Sequence, residues 1–141
     1  MSGKSFIDTN IFVYSLDRAD PAKARIALDL IERHVAERTG VISFQVIQEF
    51  FNVAYKRFPS VMQPSDGAAY LIAVFQPLLA VQSSLTLYSQ ALSICQRHHI
   101  SWYDSLIVAA ALEANCSILF SEDLQHGAKF GGVQIENPFR T

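Results

Sequence analysis

Short apolar runs alternate along this chain with longer segments whose apolar residues recur every three or four positions. Ser5-Phe6-Ile7 reads as a buried strand ending at Asp8. Asp20-Pro21 then supplies an N-cap with proline at the first helical position, and Ile26, Leu30, Ile31 and Val35 keep helical spacing until Gly40. Val41-Ile42 gives a second strand, and Ser43 caps a helix whose stripe is Val46, Ile47, Phe50, Phe51 and Ala54, with Glu49 beside it. Lys56 to Gln63 reads as a loop and Asp66 to Phe75 as a helix that Pro77 ends. Leu78 to Val81 is a third strand, followed by a helix carrying Tyr88, Ala91, Leu92 and Cys95. Ser101 to Asp104 fits a capping box ahead of an apolar helix closed by Asn115. Ile118 to Phe120 is the fourth strand, and Val133 to Ile135 is a fifth after Gly131-Gly132. Short apolar strands separated by helices predict an α/β fold, a central parallel sheet covered by helices on both faces.

At 141 residues, 50% of them hydrophobic, the chain is sized for one domain with a packed core, spanning residues 1–141. A formal net charge of -2 with 17% charged residues excludes an acidic tail and a broadly basic nucleic-acid coat, so any RNA contact must be local. Cys95 and Cys116 sit inside apolar segments without the spacing of a redox pair or a zinc knuckle, and are expected as buried free thiols. Met1-Ser2-Gly3-Lys4 leads almost at once into a polar Asp-Thr-Asn, so no signal region is read there. The longest apolar run, Leu106 to Leu112, falls far short of the roughly 20 residues that span a bilayer. A cytoplasmic protein without membrane association is the expectation.

The candidate chemistry lies in four acids. Asp8 and Asp123 follow strands one and four, while Glu49 and Asp104 sit on helices. In parallel α/β folds ligands gather beyond the carboxyl ends of the strands, which is where Asp8 and Asp123 belong. Carboxylates brought together repel one another unless a divalent cation opposes their charge, so a metal site is the first hypothesis. Mg²⁺ takes oxygen ligands and keeps several waters, and such an ion acidifies a bound water for attack on a phosphodiester. Each acid has a plainer reading. Asp8 suits a cap or turn, Glu49 a solvated helix face, Asp104 the capping box of Ser101, and Asp123 a loop. Glu122 competes with Asp123 as a ligand, and the Ser-x-Asp pattern favours Asp123. His98-His99 suits a helix end and His126 a turn. Trp102, Tyr103 and Phe44 offer faces for unpaired bases, with core packing the preferred role, and Lys4, Arg18, Lys23, Arg57 and Lys129 are scattered cations without an assignable groove.

Phe6-Ile7-Asp8-Thr9-Asn10, Glu49 in the helix after strand two, Asp104 to Ala111, and Ser121-Glu122-Asp123-Leu124 together resemble the PIN-domain family, and particularly its VapC-like ribonuclease toxins. The match extends over almost the whole chain. The resemblance implies a three-layer α/β/α fold with strand order 3-2-1-4-5. It also implies metal-binding acids at Asp8, Glu49, Asp104 and Asp123, with Thr9, Asn10 and Ser121 supporting them. The activity it implies is Mg²⁺- or Mn²⁺-dependent endoribonuclease cleavage leaving a 5′-phosphate and a 3′-hydroxyl. The implied partners are an RNA substrate, a cognate antitoxin and a second copy of the chain in a homodimer. A PIN-domain nuclease of RNA maturation without toxicity, and a non-catalytic interaction module, are the alternatives. An aspartyl-phosphate phosphatase would need a second acid two positions after Asp8, where Asn10 stands.

Overall fold

The computed structural model describes residues 3–140, so Met1 and Ser2 of the expected leaderless start lie outside the described residues. The elements run β1 (Lys4–Ile7), α1 (Thr9–Tyr14), α2 (Pro21–Ala36), β2 (Gly40–Ser43), α3 (Phe44–Arg57) and α4 (Pro64–Tyr70). A π-helical turn (Leu71–Phe75), α5 (Gln76–Leu78), β3 (Leu79–Val81), α6 (Leu85–His98), α7 (Trp102–Glu113), β4 (Cys116–Phe120), β5 (Lys129–Phe130) and β6 (Val133–Glu136) follow. The sheet order is β3-β2-β1-β4-β6-β5, parallel throughout except for β5 against β6.

The predicted α/β class and three-layer α/β/α arrangement hold. Every residue of β2 and the last three of β1 are buried, as happens only when helices cover both faces of a sheet. The five expected strands keep the order 3-2-1-4-5, with Val133–Glu136 in the fifth place beside β4. The sheet nevertheless has a sixth, antiparallel strand that the sequence reading lacks. Lys129–Phe130 turns back on Val133–Glu136 over Gly131-Gly132, where Gly131 takes φ 59, a left-handed conformation open to glycine. Two residues are too few for an alternating pattern to stand out.

Two further elements differ from expectation. A short helix, α1, follows Asp8 directly, with Ile11, Phe12 and Val13 buried. Helical backbone also continues through Pro77 to Leu78 instead of stopping before it. Gln76 N–H bonds to the carbonyl of Leu71, five residues back, and this widened turn accommodates a residue that lacks an N–H and crowds the carbonyl four before it.

The core holds an aromatic knot. Phe12, Phe50 and Phe75 meet edge to face at 5.1–6.4 Å, and Tyr70 stacks on Phe50 at 4.8 Å. These rings tie α1 and α3, the two helices that start just after strand ends, to the π turn. Cys116 is a buried free thiol, as expected, and burial pushes it up to about 12; Cys95 is also free but only half-buried, because it sits at the edge of the buried stripe of α6. No described helix is long and apolar enough to cross a membrane.

Candidate active site

Asp8 leaves β1 in extended backbone and becomes the N-cap of α1. Thr9 N–H donates to its Oδ1 at 2.7 Å, so the capping reading of Asp8 is correct. The cap uses only one carboxylate oxygen. Ser121 Oγ, at the end of β4, donates to the other at 2.8 Å and itself accepts the N–H groups of Asp123 and Leu124. Ser121 is fully buried and thereby joins the Asp8 turn to the Asp123 loop across the adjacent strands β1 and β4.

Glu49 reaches the same region from α3, where Thr9 Oγ1 donates to its Oε1 at 2.8 Å. Asp104 arrives from the first turn of α7. Its backbone N–H donates to Ser101 Oγ at 3.1 Å, but only that half of the expected capping box forms, which leaves the Asp104 carboxylate free. All four acids line one cleft of about 360 Å³, together with Thr9 and Asn10. Their convergence is what the strand-end rule for α/β sheets anticipates. Among the described residues, no three His, Cys, Asp or Glu side chains stand close enough to enclose an ion by themselves.

The electrostatics follow from this crowding. Burial pushes the Asp8 carboxyl up to about 7, against the opposing pull of the Ser121 and Thr9 hydrogen bonds, and the charges of Asp123 and Glu49 push it the same way. Asp123 opens to solvent, yet partial burial of its carboxylate and the charge of Asp104 raise its pKa too, while the nearby Asn10 amide lowers it. The Asn10 amide makes no hydrogen bond within normal geometry, and both its polar atoms are buried. A group held there finds an orphaned donor and acceptor.

Glu122, the competitor of Asp123, is half-buried and does not line the cleft. It forms an ion pair with Lys23 and accepts the Tyr14 hydroxyl. Lys23 Nζ also lies 3.8 Å from the centroid of the Tyr14 ring, which packs edge to face on Phe139. Glu122 therefore anchors the Asp123 loop from outside the cleft. Burial raises the Glu122 pKa, but Lys23 and Tyr14 outweigh it and the net direction is down. Lowered in the folded state, Glu122 contributes stability above the ordinary carboxylate range and loses it as pH falls. Lys23→Met is expected to lower stability by about 0.5–1 kcal/mol at pH 7, and by less at pH 3. Urea denaturation at both pH values checks it, and an equal loss at both would mean that the charge pair contributes nothing.

His126 Nδ1 accepts the N–H of Asn137 at 3.0 Å, a turn role. His98 ends α6 against Phe130, and His99 caps it in the left-handed region, φ 56. Trp102 and Phe44 pack against the core as expected, but Tyr103 does not: the residue is 62% exposed and lines the cleft. Arg57, one of the scattered cations, lines the cleft too. A helical row starting from Glu49 points to it, since Glu49, Val53 and Arg57 recur every fourth position.

The PIN domain family profile matches residues 5–128. No curated protein matches significantly. Seven chains of solved structures do. One is the crystal structure of Mycobacterium tuberculosis VapC20, described as a sarcin-ricin loop cleaving toxin, which superposes with a TM-score of 0.61. The alignment covers 85% of this chain and 92% of that one at 20% identity, a likeness of fold. With the profile spanning most of its length and the fold agreeing, the chain belongs to the PIN-domain family.

Proposed function

We propose that this chain, as one domain, is a metal-dependent endoribonuclease of the VapC toxin type that hydrolyses RNA phosphodiester bonds. The observation that carries the reading is the meeting of Asp8, Glu49, Asp104 and Asp123, from four separate segments, in one cleft at the strand ends. These four are the proposed metal site for Mg²⁺ or Mn²⁺, one or two of them binding the ion directly and the others through its waters. An all-oxygen donor set suits such ions, and the raised Asp8 and Asp123 carboxyls are what a nearby cation would reverse. When bound, the ion supplies an acidified water and neutralises charge on the phosphodiester.

The protein's own part is positional. Ser121 and the Thr9 N–H hold the Asp8 carboxylate from both sides, and the Thr9 hydroxyl fixes Glu49. Asn10 brings an unused amide to the same space. No side-chain nucleophile is needed. A cytoplasmic location, a homodimer and a small cognate antitoxin belong to the same reading, and an Arg from that antitoxin would match the carboxylates by charge.

The test is cleavage of total RNA by purified protein with Mn²⁺, set beside the Asp104→Asn variant. Loss of cleavage in the variant with an unchanged circular dichroism spectrum is expected; full activity in Asp104→Asn would remove that residue from the site. Growth arrest on induced expression, relieved by a neighbouring small protein, supports the toxin role, and cleavage without arrest favours RNA maturation.

A further inference from the structure

The cleft is acidic at its floor and would repel a polyanion along its whole length were there no cation beside it. Among the described residues that line it, the only Lys or Arg is Arg57. It sits two helical turns beyond Glu49 on the same row of α3, about 12 Å along the axis. Its guanidinium lies 5.1 Å from the Phe58 ring centroid, which restrains it on the exposed surface. Across the cleft, Tyr103 precedes Asp104 in the first turn of α7 with its ring open to solvent. Its backbone is fixed: Gln45, buried on α3, donates its Nε2–H to the Tyr103 carbonyl at 3.2 Å. The two walls are thus braced to each other by Gln45, with an exposed aromatic face on one and a cation on the other.

We propose that Tyr103 and Arg57 form a substrate subsite, in which Tyr103 stacks on an unpaired base and Arg57 pairs with a phosphate neighbouring the scissile one. The inference rests on the ribonuclease reading and names the side chains that would hold the strand beside the acids. A cleft of about 360 Å³ is at the small end of ligand pockets, a size suited to one base or sugar-phosphate unit. Aromatic stacking is available only to bases out of a helix, and it tolerates any base. Arg57 lies two turns beyond Glu49 on α3 and lines the same cleft, so it meets the strand beside the acids and sets its path.

The experiment is fluorescence anisotropy with a labelled 12-nucleotide single-stranded RNA, and with its duplex, in Ca²⁺ buffer, alongside a cleavage assay in Mn²⁺. Wild type is expected to bind the single strand at least about tenfold more tightly than the duplex. Tyr103→Ala weakens single-strand binding about tenfold, whereas Tyr103→Phe stays within about twofold. Arg57→Gln weakens it about fivefold and reduces the slope of log affinity against log salt by about 0.7, one phosphate contact fewer. Both positions are exposed, so the variants keep the fold. If wild type cleaves RNA while Tyr103→Ala and Arg57→Gln bind as tightly as wild type, or duplex binds equally well, the subsite is overturned and the nuclease reading stands. If wild type neither binds nor cleaves RNA, the nuclease reading fails and the subsite with it.

Discussion

Asp8→Asn yields a metal-free protein that is more stable than wild type at pH 8 and inactive. Asp8 is buried, and its carboxyl titrates near 7 in the folded chain against an ordinary value of 3.8. Between those values the folded protein holds a proton that the unfolded chain has released. Stability therefore falls as pH rises from about 4 to 7 and stays low above it, by at most about 4 kcal/mol for this group. Asparagine keeps the acceptor for the Thr9 N–H and carries no charge to bury. A gain of about 2 kcal/mol at pH 8 that vanishes near pH 4 is expected from urea denaturation in EDTA. Mn²⁺ at about a hundred times its dissociation constant stabilises wild type by about 2.7 kcal/mol and leaves the variant unmoved. RNA cleavage drops on the order of 1,000-fold. An unchanged pH profile of stability would show that Asp8 is ionised at little cost, and full cleavage would remove it from the site.

Phe50→Ala has the largest expected effect on stability alone. Phe50 is fully buried and touches Phe12, Tyr70 and Phe75, so its removal opens a cavity between α1, α3 and the π turn. Such truncations destabilise by roughly 3–5 kcal/mol, a large part of the roughly 5–15 kcal/mol that holds a domain together. Phe50→Leu restores some of the volume and should lose about half as much. Glu49 is its neighbour on α3, so the alanine variant also loosens one acid relative to the other three. Urea midpoints for the two variants check the order; a loss below about 1 kcal/mol for Phe50→Ala would mean that the surrounding rings close the gap.

Much of this was legible because periodicity and strand ends speak through local sequence. The strand before Asp8, the Pro21 helix start and the Ser101 cap each rest on residues within one turn of one another. That four acids belong to one cleft was readable only from the family resemblance and the strand-end rule, because their convergence depends on pairing β1 beside β4, more than a hundred residues apart. Besides β5 and α1, three further features were hidden. The partner of Glu122 is Lys23, a contact between a loop and a helix face that no spacing encodes. Tyr103 and Trp102 are adjacent aromatics about 100° apart around α7, and only the face that α7 turns to the core decides that the second is packed and the first exposed. The helix through Pro77 depends on a widened turn, which proline's usual effect on helices argues against.

Both outermost strands of the sheet are very short, three residues in β3 and two in β5. An extended peptide pairing along either side finds few free backbone donors and acceptors, so strand addition gains little there. Association of this chain with a second copy or a foreign segment therefore gains little from backbone pairing along the sheet. Fibril-like growth from the native state is disfavoured by the same shortness.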